Sequence, residues 1–278
     1  MTSATASKLV ALASLAGALL LPLPAGAADL PNWGGGSMKD SFGPAMQPSA
    51  GPCYLRGDVG YSWSSDPEVN WLVTRNNNFL TDDVTNVSMD GSWLVEGGAG
   101  CGSGSRGLRG EVAVGWRGDR DLSGEPGFWV PPGGVAGIDP LHTSVESVTL
   151  MFNGYYDLGN FRGFVPYVGA GLGVSWNTTD ETYFTGNPFL TNRIRGETET
   201  SFAWALMAGV GYQISPRANI VLVYRYIDLG GAASGGIAVA GFGNPPVRID
   251  DLTAHEIKLG LRYHFGGSRM PAYPEPLK

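Results

Sequence analysis

The segment CYLRGDVGYSWS, residues 53–64, alternates strictly between two kinds of side chain. One set is apolar or small: Cys53, Leu55, Gly57, Val59, Tyr61 and Trp63. The other set is polar, charged or small: Tyr54, Arg56, Asp58, Gly60 and Ser62. A period of two is typical of a β-strand whose faces meet different surroundings. The charges have both signs, so they can pair if their face is enclosed.

Seven further segments of about ten residues repeat this two-faced pattern, as transmembrane strands do. They are Ser92–Cys101, Leu108–Arg117, Val145–Leu158, Phe164–Trp176, Ser201–Gln213, Ala218–Asp228 and His255–Phe265. No long window repeats at the three-and-four spacing of a helix. The sequence therefore predicts an all-β domain of eight strands between residues 53 and 265.

The connections between these segments alternate strictly in length. The long ones are 65–91, 118–144, 177–200 and 229–254, and the short ones are 102–107, 159–163 and 214–217. This alternation puts all long loops at one end of an antiparallel up-and-down barrel. Outer-membrane barrels have the same asymmetry, with short periplasmic turns and long extracellular loops.

The tryptophans distinguish a transmembrane barrel from a soluble exported one, in which the apolar face would point inward. Trp63, Trp116 and Trp176 end strands that run toward the long loops, and Trp93 and Trp204 begin strands that leave them. All five lie on the apolar face and form an outer aromatic belt. Aromatic residues also gather at the short-turn end: Tyr156, Phe164, Tyr212, Tyr263 and Phe265. Two such belts are typical of a membrane-spanning barrel.

The opposite face of the strands carries charges of both signs. They are Arg56, Asp58, Glu96, Arg109, Glu111, Arg117, Arg225, Glu256, Lys258 and Arg262. Eight strands enclose an interior that side chains just fill. We therefore expect a paired network that plugs the lumen. A narrow, low-conductance pore for small solutes is the alternative.

The two cysteines give an independent test of the strand arrangement. Cys53 opens the first strand and Cys101 closes the second, so both lie at the short-turn end and on the outward face. Opposed residues on neighbouring strands lie close enough to bridge. We predict a Cys53–Cys101 disulfide, the alternative being two free thiols.

The segments outside the strands have their own signatures. Residues 1–27 combine Lys8, an apolar run and a small-residue cleavage site, and predict a signal peptide. Residues 28–52 are rich in Pro and Gly and predict a flexible periplasmic lead-in. Residues 266–278 form a tail that stays in the periplasm or enters the lumen. The net charge of −7 argues against nucleic acid as a partner.

The sequence contains no motif that indicates catalysis, and we expect no catalytic, metal or cofactor site. The three histidines, His142, His255 and His264, have no metal-ligand spacing. A lipid-modifying enzyme is an alternative, which would require His255 to meet Ser92 or Ser201 near the long-loop rim.

The chain resembles the small Gram-negative outer-membrane β-barrels of the OmpA-barrel and Opa type, often labelled porin family or outer membrane protein beta-barrel domain. The resemblance rests on the signal and Pro/Gly lead-in, and on YLRGDVGYSW (54–63), YRYIDLGG (224–231) and HEIKLGLRYHF (255–265). It implies insertion by the barrel-assembly machinery through a closing strand with Tyr263 and Phe265 as the signal. Family members commonly end at that phenylalanine, whereas this chain continues to residue 278.

Together these features predict a non-enzymatic structural protein of the outer membrane. We expect it to contact membrane lipid and lipopolysaccharide, to support envelope integrity, and to present its long loops to a surface ligand. Aromatic residues in those loops are candidates for binding: Trp71, Phe79, Phe128, Trp129, Tyr183, Phe184, Phe189 and Phe242.

Overall fold

Eight long strands form the wall of a closed antiparallel barrel in the computed structural model. The structure describes residues 51–75, 78–102, 106–128, 137–138, 140–185, 193–235, 237–239, 242–244 and 247–265. The predicted signal peptide, most of the lead-in, the tail, and the loop residues Trp129 and Phe189 lie outside them. Within these ranges, no helix is both long and apolar enough to cross a membrane.

The barrel strands follow one another around the wall in chain order. They are β1 (Cys53–Ser64), β2 (Ser92–Gly102), β3 (Arg106–Glu125), β4 (Leu141–Leu158), β5 (Phe164–Thr179), β6 (Thr198–Gln213), β7 (Ala218–Asp228) and β8 (Thr253–Phe265). The first and last strands close the barrel, in a register that runs from Cys53 opposite Phe265 to Ser64 opposite Ala254. The predicted eight-stranded up-and-down barrel is confirmed.

Several strands extend further toward the long loops than the sequence pattern indicated. β3 was predicted to end at Arg117 but continues to Glu125, and β4 begins at Leu141 instead of Val145. For β3 the reason is a bulge: the β3–β4 register shifts between Arg117 and Arg120, with the extra residue on β3. A bulge adds one residue and reverses which side chains face inward. The alternation therefore looks broken in the sequence although the strand goes on.

The long loops contain further β-structure. One sheet combines the first and fourth loops through Asn78–Asp83, Glu68–Arg75, Val247–Asp250 and Ala232–Ala233. Other short strands extend the barrel wall: Thr85–Met89 pairs with β3, and Thr182–Phe184 pairs with β4 and with Arg193–Ile194. The described loop residues also form two small ribbons: Gly127–Phe128 with Gly137–Ile138, and Ile237–Val239 with Phe242–Asn244.

Inward-facing glycines give large polar side chains the room to lie flat across the lumen. A Cβ atom on Gly209 would lie 2.6 Å from the ring of Tyr167 and 2.6 Å from the carbonyl oxygen of Leu222. A Cβ atom on Gly260 would overlap the carboxylate of Asp58. The interior therefore accounts for some of the 43 glycines of the chain. Where a neighbouring side chain lies directly against the backbone of a strand, only glycine leaves it enough room.

Candidate functional site

All ten charged residues predicted for the lumen lie on the inward face and are buried. None exposes more than 6% of its surface. Charged side chains are seldom buried unless they are paired, because desolvation of a lone charge costs several kcal/mol or more. Their partners therefore determine whether the interior is a filled core or an open channel.

Glu96 is the centre of the largest network. Lys258 Nζ donates to its Oε1 at 2.6 Å, and Arg56 Nη2 donates to the same oxygen at 2.7 Å. Arg225 Nη1 donates to the other oxygen, Oε2, at 2.5 Å. One carboxylate from β2 thus ties together cations from β1, β7 and β8. These hydrogen bonds therefore reach across the lumen from β7 to β2.

Glu256 continues this network toward the long-loop end. Arg225 Nε donates to its Oε2 at 2.6 Å, while Arg117 Nε donates to its Oε1 at 2.6 Å. Arg117 also donates from Nη1 to the hydroxyl of Thr149 at 3.2 Å. Charge-assisted hydrogen bonds of this kind are the strongest that side chains make.

Glu111 extends the network toward the short-turn end. Arg56 Nε donates to its Oε2 at 3.0 Å. Two phenolic hydroxyls also donate to this carboxylate, Tyr54 at 2.9 Å and Tyr155 at 3.0 Å. Asp58 completes the set by pairing with Arg56. The buried carboxylate therefore has a donor on each oxygen, which is what burial of a charge requires.

The short-turn mouth of the lumen is filled by stacked cations and tyrosines. Arg109 donates from Nε and Nη2 to the two oxygens of Asp157, both at 3.2 Å, and its guanidinium lies 4.1 Å from the ring centre of Tyr155. The guanidinium of Arg262 lies 4.9 Å from the ring centre of Tyr54. Cation–π contacts of this kind stabilise a charge where water is scarce.

The long-loop mouth is closed by the start of the fourth loop. The side-chain amide of Asn177 donates to the carbonyl oxygens of Leu229 at 2.9 Å and Gly231 at 2.8 Å. Thr179 Oγ1 donates to the carbonyl oxygen of Ala233 at 3.0 Å. Because these β5 side chains point inward, the loop segment crosses inside the wall. Leu229 is fully buried there.

Several lumen residues were missed in the sequence. Asp157 and Tyr155 follow the inward alternation of β4 and could have been assigned from it. Arg120 could not, because the bulge in β3 turns it inward against the alternation. Arg120 is fully buried and donates from Nη2 to the hydroxyl of Ser147 at 2.7 Å.

The outward face carries the other predicted residues. Cys53 and Cys101 form a disulfide, as predicted. The tryptophans Trp63, Trp93, Trp116, Trp176 and Trp204 all lie on the outward face of the wall, with Trp93 the most exposed at 69%. Tyr263 and Phe265, proposed as the insertion signal, also point outward. The loop aromatics divide: Tyr183 is exposed, whereas Phe184 is buried against the interior cluster.

The geometry does not assemble the lipid-modifying site considered from the sequence. His255 lies on the outward face, where its Nδ1 is 2.7 Å from the hydroxyl of Tyr224. Ser92 is buried on the inward face, and Ser201 Oγ donates inward to the carbonyl oxygen of Gly231 at 3.0 Å. The wall of the barrel therefore separates the histidine from both serines.

Comparison with known proteins identifies the family of this chain. The model of the outer membrane protein beta-barrel domain family matches residues 13–265, and the chain belongs to that family. An uncharacterised protein of Brucella abortus (strain 2308) is 28% identical over 258 residues, which cover 81% of this chain and 88% of the relative. The outer membrane protein PagN of Salmonella typhimurium is 29% identical over 164 residues, 57% of this chain and 65% of PagN.

Solved structures to which this chain is similar include Neisserial surface protein A and the outer membrane protein OprG of Pseudomonas aeruginosa. The first is 16% identical with a TM-score of 0.44, and the match covers 78% of this chain and 99% of that one. The second is 15% identical with a TM-score of 0.44, over 78% and 98% of the two chains. The family membership places this protein in the outer membrane.

Proposed function

We propose that this protein is a non-enzymatic, non-conducting structural barrel of the outer membrane that supports envelope integrity and presents its loops as an interaction surface. The observation that carries the first part is the filled lumen. The Glu96 network crosses its centre, and the loop segment from Leu229 to Ala233 closes one mouth. A channel needs an open polar path, and these contacts between described residues lie across the lumen, which supports a non-conducting barrel.

The interaction surface is supported by the β-structure of the long loops. Strands from the first and fourth loops pair with each other, and strands from the first and third loops extend the wall beyond the tryptophan belt. Loops held on a rigid scaffold are where binding functions concentrate. The proposed partners are membrane lipid and lipopolysaccharide around the wall, the assembly machinery during insertion, and a ligand at the loops.

Conductance in planar bilayers separates the plug from the narrow pore. The full-length protein, extracted folded from outer membranes, is expected to give no stable current steps. A variant in which Arg225 and Glu256 are both replaced by glycine removes two bulky network members and serves as a control for assay sensitivity, with occasional steps expected. Stable nanosiemens steps from the unaltered protein would refute the plug.

Complementation of a deletion strain tests the role in the envelope. Loss of the gene is expected to raise sensitivity to detergents and to large hydrophobic antibiotics, and the unaltered gene is expected to restore resistance. A version lacking the loop tip 127–138 should also restore it, since the wall and plug remain. Equal resistance with and without the gene would contradict the structural role.

A further inference from the structure

A polar cleft crosses the outer wall of the barrel beyond the tryptophan belt. Five strands meet there side by side: Thr85–Met89, β3, β4, Thr182–Phe184 and Arg193–Ile194. Their register aligns one outward-pointing side chain from each strand in a single row: Ser88, Ser123, His142, Tyr183 and Arg193. The cleft has a volume of about 630 Å³, within the range of sites for small ligands.

A second row of side chains, nearer the membrane, lines the same cleft. Asp121 and Ser144 are directly paired across β3 and β4. Asp90 joins them through its backbone N–H, which donates to the carbonyl oxygen of Asp121 at 2.9 Å. Asp180 accepts a hydrogen bond from Ser144 Oγ at 3.2 Å. This row therefore offers carboxylate and hydroxyl oxygens to a ligand, with Glu181 beside it.

An aromatic platform lies in the middle of the first row. The rings of His142 and Tyr183 are stacked with their centres 5.4 Å apart and their planes 29° from parallel. Tyr183 exposes 45% of its surface although its strand is hydrogen bonded on both sides. Stacking covers one face of the Tyr183 ring, and the part of this ring that stays exposed lies beside hydrogen-bond acceptors. This combination suits a ligand that is itself apolar on one face and polar at its edge.

The charge of the cleft limits the ligands that it can take. Its lining contains four carboxylates, from Asp90, Asp121, Asp180 and Glu181, and one guanidinium, from Arg193. Four negative charges and one positive leave three in excess. Arg193 is itself paired with Glu181 at 3.1 Å. Sulfated or phosphorylated ligands are therefore disfavoured by repulsion.

We propose that this cleft binds a short, uncharged oligosaccharide. The C–H face of a sugar ring would pack on the exposed Tyr183 ring, which is stacked on His142, while its hydroxyls would donate to the carboxylates of Asp121 and Asp180. The row is five strands wide, about 19 Å at the usual strand spacing, so it is long enough for several sugar rings. This inference rests on the proposed role of the loops as an interaction surface and names the ligand class for it.

Titration calorimetry tests the proposal directly. The full-length protein is kept in a detergent without a sugar head group, because a glycoside detergent would compete for the cleft. The probes are maltotetraose, cellotetraose and N-acetylchitotetraose, with sucrose octasulfate as the anionic comparison. We expect saturable binding of at least one uncharged probe and none of the sulfated sugar.

Cleft variants show whether that binding occurs where we place it. Tyr183→Ala and Asp121→Asn are each expected to weaken binding about tenfold or more, whereas Tyr183→Phe keeps the platform and should stay within about twofold. Asp251→Asn changes an exposed loop carboxylate outside the cleft and is the matched control. Every variant is first checked for a heat-modifiable band in SDS, which reports a folded barrel.

Two results would overturn the proposal: no binding of any uncharged probe by the folded protein, or binding that Tyr183→Ala and Asp121→Asn leave unchanged. Neither result touches the proposed structural function, which conductance and complementation test separately. Where binding is found, competition by neutral polysaccharide released from the host's own lipopolysaccharide identifies the source. Competition points to the protein's own envelope, and its absence to a glycan from another surface.

Discussion

The two halves of β3 show opposite polarity. Between residues 108 and 117 the outward side chains are apolar, such as Val112 and Val114, and the inward ones are charged, such as Glu111. Beyond the bulge the outward side chains are polar, such as Asp121, and Leu122 points inward. Leu122 belongs to an apolar cluster with residues of β4 and the loops.

The reversal shows that the surroundings of a strand, and not the strand itself, set its polarity. In lipid the outward face must be apolar, so polar groups are confined to the lumen and have to pair there. In water the hydrophobic effect draws apolar side chains inward, as in any soluble domain. The indole N–H of Trp116 donates to Glu146 at 3.1 Å. Tryptophan is enriched at membrane–water interfaces, so Trp116 marks the boundary between the lipid-facing and the water-facing part of β3.

The largest effect is expected from breaking the lumen network at its centre. Glu96→Ala leaves Lys258, Arg56 and Arg225 without their shared carboxylate, and loss of a buried partner costs about 3 to 5 kcal/mol of unfolding free energy. Urea unfolding in lipid vesicles measures it. The control is Glu181→Gln, which breaks an exposed ion pair and should cost less than about 1 kcal/mol. Equal losses would mean that the lumen pairs are not desolvated.

A charge placed on the outward face of β3 should lower the unfolding free energy in the lipid-facing half and leave it almost unchanged in the half beyond the bulge. Val112 faces outward in the lipid-contacting part of β3, and an arginine there is expected to cost about 2 to 4 kcal/mol. Ser123→Arg, on the same strand beyond the bulge, should cost less than about 0.5 kcal/mol. The same unfolding assay compares the two. A cost of similar size at both sites would place Ser123 in the membrane.

The apolar cluster above the membrane should respond to cavity formation. Leu122 is 1% exposed, and Leu122→Ala is expected to cost about 2 to 3 kcal/mol, at the lower end for buried leucines because loop residues can partly close the space. Amide hydrogen exchange should show faster exchange in Glu68–Arg75 and Val247–Asp250, which contribute to the cluster, and little change in residues 218–222 at the short-turn end of β7, which do not. Unchanged loop exchange would contradict a shared core.

The smallest of these effects concerns glycines inside and outside the wall. Gly209→Ala forces a methyl group against Tyr167 and the backbone, and overpacking of this kind costs about 1 to 3 kcal/mol. Gly57→Ala is the matched control, since a Cβ atom there meets nothing within 4 Å. We expect no loss of stability from the control. A tolerated Gly209→Ala would show that Tyr167 can move aside.

The barrel could be predicted from the sequence where a local pattern carries the information. The bounds of β1 and β7 follow directly from the alternation, and the disulfide follows from the positions of Cys53 and Cys101. The extension of β3 was hidden because one bulge reverses the parity at Arg120. Pairing between the first and fourth loops joins segments far apart in the chain, and no local pattern encodes it.

The lumen network and the cleft also differ in how far they can be predicted from the sequence. Charges on one face of each strand indicate an interior network, although their partners, such as Glu96 with Arg225, depend on strand order around the wall. The cleft depends on register: Ser123, His142 and Tyr183 come from three strands and meet only because pairing aligns them. A histidine and a tyrosine in separate loops give no sequence signal for a shared platform.

Spin labels along β3 test the reversal of polarity most directly. Single cysteines replace Val112, Val114, Asp121 and Ser123 in turn, and the native cysteines stay in their disulfide, so each introduced thiol is the one labelled. We predict that labels at Val112 and Val114 are relaxed mainly by oxygen dissolved in lipid, and those at Asp121 and Ser123 mainly by a water-soluble nickel chelate. Oxygen-dominated relaxation at Asp121 and Ser123, or nickel-dominated relaxation at Val112, would contradict the account.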